Sequence, residues 1–148
     1  MEIITKKEID TLSVRTSCSV DKLPQTLGKA YDEVAALFGT DKITCTGAPF
    51  VIYYNMDMQN LDIEAGFPVS GATKDYGNVK RSRLPGGEQA TAQHKGSYET
   101  LEKTYNALTE FCKENNKVPE DFMYEEYLNE PEKVSPDELL TNIYFILK

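Results

Sequence analysis

Leu27-Gly28-Lys29-Ala30-Tyr31-Asp32-Glu33-Val34-Ala35-Ala36-Leu37 is answered, 74 residues later, by Leu101-Glu102-Lys103-Thr104-Tyr105-Asn106-Ala107-Leu108-Thr109-Glu110-Phe111. Leu27 maps to Leu101, Tyr31 to Tyr105, Val34 to Leu108 and Leu37 to Phe111. The same offset carries Phe50 to Tyr124, Tyr53 to Tyr127 and Asn55 to Asn129. Tyr31 to Tyr53 is a step of 22 residues, and so is Tyr105 to Tyr127. A helix stripe and a strand held in one register twice over mean a supersecondary unit used twice. A seam between two copies is a natural place for a pocket.

Working outward, Ile9 to Thr16 is spaced as a partly buried strand. Asp21 reads as a helix N-cap, and Pro24 falls in the first turn, where its missing N–H costs little. Leu23, Leu27, Ala30, Tyr31, Val34, Leu37 and Phe38 form one apolar stripe, and Gly39 ends the helix. Phe50 to Tyr54 is a β-prone run, and Leu61 to Val69 alternates as a further strand. In the second half, Val79 to Ser82 and Glu88 to His94 flank Leu84-Pro85-Gly86-Gly87, which reads as a hairpin turn. Ser97 is an N-cap for the stripe Tyr98, Leu101, Tyr105, Leu108, Cys112. Phe122 to Leu128 is the matching strand and Asn142 to Leu147 the last one. The register slips by 4 there, because Phe67 now matches Phe145, and the extra residues fall in the polar loop Pro131 to Glu138. The expected fold is α+β: two strand-helix-strand-strand repeats, residues 1–76 and 77–148. Their strands should join in one mostly antiparallel sheet with both helices on one face.

Composition narrows the function. With 40% hydrophobic and 27% charged residues, the chain has the makeup of an ordinary globular domain. No apolar run approaches the roughly 18 residues needed to cross a bilayer, and Met1 to Glu8 lacks the profile of a secretory signal. Three scattered cysteines, Cys18, Cys45 and Cys112, suit reduced thiols in a cytoplasmic protein. The formal net charge of −8 argues against direct nucleic-acid binding, which needs a basic face. It is compatible with a cationic or neutral small ligand. Phosphate-binding glycine loops, a nucleophile elbow and a zinc-protease signature are all missing. The lone His94 cannot build a histidine-rich metal site, so no metal and no cofactor are expected. A single histidine is more often a hydrogen-bonded structural residue than a catalyst.

The unusual stretch is Tyr124-Glu125-Glu126-Tyr127, whose counterpart in the first half is Phe50-Val51-Ile52-Tyr53. Two carboxylates replace two apolar side chains. Strand side chains alternate, so Glu125, Tyr127 and Asn129 face one way and Tyr124, Glu126 and Leu128 the other. One glutamate can be solvated; a second on a half-buried face is costly without partners or purpose. An exposed edge strand is the plain alternative. Otherwise one glutamate is a pocket carboxylate ringed by tyrosines, able to attract a cation or, when desolvated, to act as a general base. Glu125 is the first choice and Glu126 the second. Tyr53, Tyr54, Tyr127 and Tyr144 lie on strands at the seam and are the candidate pocket aromatics, whereas Tyr31, Tyr98, Tyr105 and Phe111 read as core.

Two motifs carry a family resemblance. Leu84-Pro85-Gly86-Gly87 with Ala92, His94, Gly96, Tyr98, Leu101 and Tyr105 is one; Glu125-Glu126-Tyr127-Leu128-Asn129-Glu130-Pro131 with Pro136, Glu138 and Leu139 is the other. Together they resemble the GyrI-like small-molecule-binding family, related to the effector-binding domains of AraC-type and MerR-type regulators. The likeness is most specific over residues 79–148, and looser through Gly47 to Phe50 and Tyr53 to Asn55. It implies an eight-stranded sheet with a ligand cleft between the units, and its acidic pocket residue falls on Glu125. It implies binding of lipophilic or cationic drug-like molecules, here by a freestanding member, since no helix-turn-helix precedes the first repeat. Two alternatives come with the family. One is hydrolysis of strained cyclopropane electrophiles, with Glu125 as base and Tyr127 as its partner. The other is a protein-interaction module whose partner is DNA gyrase or a transcription regulator.

Overall fold

The computed structural model describes all 148 residues. Two compact units emerge, one of residues Glu8–Pro85 and one of Met1–Lys7 with Gly86–Lys148. The architecture is α+β, with antiparallel strands and one helix in each unit.

In the unit of residues 8–85, β2 (Ile9–Cys18) leads to α1 (Leu23–Ala35), then to a short β3 (Thr44–Cys45), β4 (Phe50–Tyr53), β5 (Leu61–Ser70) and β6 (Lys80–Leu84). The strand order is β4-β5-β2-β6, with β3 beside β5. Leu12 pairs with Phe67 and Val14 with Ala65, which sets those four side chains on one face. That face meets α1: Val34 and Leu12 are fully buried and pack with Ile43, Val69 and Val79. Tyr31 and Phe38 meet Phe67 edge-on, at centroid separations of 5.5 and 5.2 Å. The Tyr31 hydroxyl donates to the Phe50 carbonyl at 2.9 Å. The stripe read from the sequence is therefore the packed face of α1.

In the other unit, β7 (Gly87–Lys95), α2 (Leu101–Glu114), β8 (Pro119–Tyr127) and β9 (Leu140–Leu147) repeat the order strand, helix, strand, strand. The strand order is β1-β7-β9-β8, where β1 is Glu2–Lys6. Leu108 and Cys112 of α2 are buried, and Tyr105 stacks on Phe145 of β9 at 6.0 Å. Met123 pairs with Phe145, Glu125 with Ile143 and Tyr127 with Thr141. All six therefore share the face that α2 covers.

Several local expectations change. Leu84–Gly87 is not a hairpin: β6 takes its partners from β2, and β7 takes its own from β1 and β9. Each strand-helix-strand-strand core gains one strand, β6 or β1, that a simple division at residue 76 does not assign to it. Asp21 is not the cap of α1; it sits in a 3-10 turn (Val20–Lys22), and the capping position is Lys22. The helix also stops at Ala35, and the chain turns on to Gly39, whose φ of +85° suits glycine. Ser97 does cap, but it caps the 3-10 turn Tyr98–Thr100 ahead of α2, accepting from the Glu99 N–H at 3.2 Å.

Candidate functional site

The carboxylate of Glu125 sits inside the protein. Strand alternation on β8 turns it toward α2, and only 4% of the residue remains exposed. The Tyr127 hydroxyl, two residues along the same strand face, donates to Oε1 at 2.8 Å. The Tyr105 hydroxyl, reaching down from α2, donates to Oε2. Tyr98 closes the outer side, its ring edge-on to that of Tyr127 at 5.8 Å. Tyr98 is itself 39% exposed.

No lysine or arginine makes an ion pair with Glu125. Burial therefore dominates, and it pushes the carboxyl up to about 7, partly opposed by the Tyr127 hydrogen bond. A group titrating there holds a negative charge in a poorly solvated place at neutral pH. That charge has two uses open to it: attraction of a cation, or acceptance of a proton. The Tyr98 hydroxyl is also held above its ordinary range, first by burial and then by the Glu125 charge.

Two more residues lie on this face beside Tyr127. Thr141 is its cross-strand partner on β9, and His94 is the partner of Thr141 on β7. His94 is committed to the fold: Nδ1 bonds the Thr104 hydroxyl at 2.6 Å, and Nε2 lies 3.0 Å from the Thr100 hydroxyl and 3.1 Å from the Ser97 carbonyl. The imidazole thus ties the 3-10 turn carrying Tyr98 to the first turns of α2. Thr141 is fully buried, yet its hydroxyl has no hydrogen-bond partner. An unpaired buried hydroxyl costs about 1–3 kcal/mol.

Glu126 occupies the opposite sheet face in a cluster of its own. Its Oε1 accepts from the Tyr144 hydroxyl at 2.6 Å and from the Asn142 amide at 2.8 Å. Tyr144 stacks on Tyr124 at 4.5 Å, and the Lys6 ammonium lies 4.2 Å over the Tyr144 ring. Lys6 also donates to the Tyr124 hydroxyl at 2.8 Å. Burial holds the Lys6 amine below its ordinary range, against the pull of Glu126.

The remaining tyrosines named from the sequence belong to the unit of residues 8–85. Tyr53 ends β4, paired with Ile63. The Tyr54 hydroxyl donates to Glu64 at 2.7 Å, and the Ser13 hydroxyl donates to the other oxygen of Glu64 at 2.7 Å. The Arg15 guanidinium lies 3.8 Å over the Tyr54 ring while pairing with Asp62. Glu125 and Tyr127 thus come together on one face, Glu126 and Tyr144 on the other, and Tyr54 serves a different carboxylate. Tyr98 and Tyr105, read as core, are the tyrosines that complete the Glu125 site. One signal could have found Tyr105: a buried tyrosine in an apolar stripe needs a partner for its hydroxyl, and the facing strand offers a carboxylate. Glu64 looked like an ordinary polar position in an alternating strand, and nothing in its local sequence marks it.

A four-stranded antiparallel sheet crossed by one helix, occurring twice, with a buried tyrosine-held carboxylate, defines a ligand-binding module. The chain belongs to the GyrI-like small molecule binding domain family, whose model matches residues 1–148. Its fold is similar to that of the EcmrR C-terminal domain, with a TM-score of 0.80, 22% identity, and 99% of this chain and 96% of that one covered. In the EcmrR–DNA complex the chain spans 56% of EcmrR, at 21% identity and a TM-score of 0.83. A hydrolase from Listeria innocua matches at 16% identity and a TM-score of 0.74, covering 99% of this chain and 91% of that one. SAV2435, solved bound to tetraphenylphosphonium, matches at 9% identity and a TM-score of 0.63, over 99% and 93%. The protein is thus a small-molecule-binding domain. None of its helices is long and apolar enough to cross a membrane.

Proposed function

We propose that the ligand is a lipophilic cation and that Glu125 is its counter-charge. The observation that carries the reading is a carboxylate 4% exposed, bonded only by tyrosine hydroxyls and answered by no basic side chain. A neutral ligand without a hydrogen-bond donor gains nothing from such a group. A desolvated cation restores the missing charge partner, and the faces of Tyr98, Tyr105 and Tyr127 add cation–π attraction. The fold shared with the tetraphenylphosphonium-bound SAV2435 supports the same class of ligand.

Tetraphenylphosphonium is a suitable probe, since its charge is permanent and its surface apolar. A ligand that binds only the folded state raises the melting temperature, by the equivalent of about 2.7 kcal/mol at one hundred times Kd. Glu125→Gln keeps the shape and removes the charge, so affinity should fall by about 1–3 kcal/mol. Equal thermal shifts in both proteins would retire the reading.

A second reading rests on the same residue. A carboxyl pushed up to about 7 is matched to general-base work near neutral pH. Glu125 would take the proton of a water whose oxygen bonds to a strained cyclopropane carbon as a ring C–C bond breaks, the electron pair of that bond passing to the conjugated acceptor of the electrophile, with Tyr127 orienting the water. The proton transfer is worth typically 10²–10⁴-fold. Ring opening followed by mass spectrometry decides it: wild type must outpace Glu125→Gln, and equal rates leave only binding.

A further inference from the structure

Thr141 is a buried polar side chain on the α2-facing side of its sheet that the fold does not use. It lies in a row between Tyr127 on one neighbouring strand and His94 on the other. The Tyr127 hydroxyl is spent on Glu125, and both nitrogens of His94 are spent on Ser97, Thr100 and Thr104. The Thr141 hydroxyl has no partner, in a residue with no exposed surface. Valine has the same shape, the same branching at Cβ and at least as good a strand propensity, and would carry no orphaned oxygen. A hydroxyl at this position is therefore costly to the empty protein. Thr11, the other unpaired buried hydroxyl, stands between Pro68 and Ser82 in the other unit, opposite no carboxylate.

The place of Thr141 relative to Glu125 gives that hydroxyl a purpose. Glu125 pairs with Ile143, so Thr141 is its diagonal neighbour across the β8–β9 pair. Diagonal neighbours on one sheet face are about 7–8 Å apart, within the span of one small aromatic molecule. We propose that Thr141 is the hydrogen-bonding group of the Glu125 site, so that the ligand is a lipophilic cation carrying an oxygen or N–H group several ångströms from its positive centre. The inference rests on the assignment of Glu125 as the counter-charge. A hydroxyl both donates and accepts, so either polarity of ligand atom is served. The carboxylate supplies attraction without direction. Thr141 adds direction, and with it discrimination among cations of similar size, because a ligand with a matching polar atom gains a hydrogen bond that a ligand without one does not.

The test compares tetraphenylphosphonium with its three mono-hydroxyphenyl analogues, in which one added hydroxyl sits ortho, meta or para to phosphorus. Wild type should bind at least one analogue about five- to tenfold more tightly than the parent cation. Thr141→Val should erase that preference and raise the melting temperature of the empty protein. Thr141→Ser should restore part of the preference. The inference is overturned if wild type prefers none of the three analogues, or if the preference survives in Thr141→Val. Glu125→Gln separates the two claims: it should weaken all four probes while keeping their ranking. If the parent cation binds wild type and Glu125→Gln equally, the counter-charge reading fails and this one fails with it.

Discussion

At Glu125, binding and stability are opposed. The native state holds its carboxyl up at about 7, against an ordinary 4.5, because burial disfavours the charged form. The folded protein therefore binds this proton more tightly than the unfolded chain. The contribution is fully present below pH 4.5 and is lost as pH rises through about 7. Glu125→Gln, which cannot ionise, escapes the loss. It should be more stable than wild type at pH 8 by up to roughly 3 kcal/mol, since each tenfold difference in proton affinity is worth about 1.4 kcal/mol. The advantage should shrink as pH falls below about 7 and vanish below pH 4.5. Urea denaturation at a series of pH values measures this, and a pH-independent difference would contradict a buried, titrating carboxylate. Glu125 was legible in the sequence because its partner in the first repeat is Val51, and a charge standing for valine at a matched position demands a reason. The tyrosines that hold it were less so. Tyr105 keeps helical spacing with Leu101 and Leu108, and spacing reports which face is buried, not what a hydroxyl touches once there.

Among the elements, the two helices follow from periodicity, because each buries one face, whereas β4, β5, β8 and β9 are buried on both faces over consecutive residues and follow from β-prone composition and the repeat. The departures occur where local chemistry is permissive. The Gly86-Gly87 pair allows a turn but cannot say whether the flanking strands pair with each other, and here they pair elsewhere. β1 is five residues long and pairs only with β7, so it has too little alternation to stand out. Gly66 is the sharpest case of a requirement hidden from pattern. It sits mid-strand in β5, opposite Ser13 of β2, where a Cβ would drive into the Leu12 carbonyl and the Ser13 backbone. Neither contact is a flexible side-chain tip. Gly66→Ala must therefore push β2 from β5, at a cost of about 1–3 kcal/mol or more, and should raise amide exchange along Leu12 to Val14. A variant as stable as wild type would mean that the two strands are less tightly apposed than this.

Across the whole molecule, two sources of negative potential act on a cationic ligand, and they separate by pH and salt. The net charge of −8 comes from 24 acidic and 16 basic residues. A surface charge of that kind speeds the approach of cations and is screened when the Debye length shrinks to about 3 Å near 1 M salt. Ordinary carboxyls titrate near pH 4, so this field barely changes between about pH 8 and pH 6. Glu125 does change over that interval, because its carboxyl titrates at about 7. Tetraphenylphosphonium has no titrating group, so any pH dependence belongs to the protein. Its affinity should be flat above pH 7 and then fall about tenfold per pH unit, since below that point a proton must leave before the cation can enter. Glu125→Gln tests the assignment: if Glu125 governs binding, the variant loses the slope. Added salt should weaken binding by slowing association while leaving the midpoint near pH 7, because water and ions do not reach a carboxylate 4% exposed. A wild-type affinity that stays level from pH 8 to pH 5 would mean that the cation is held by the surface field and not by the buried carboxylate.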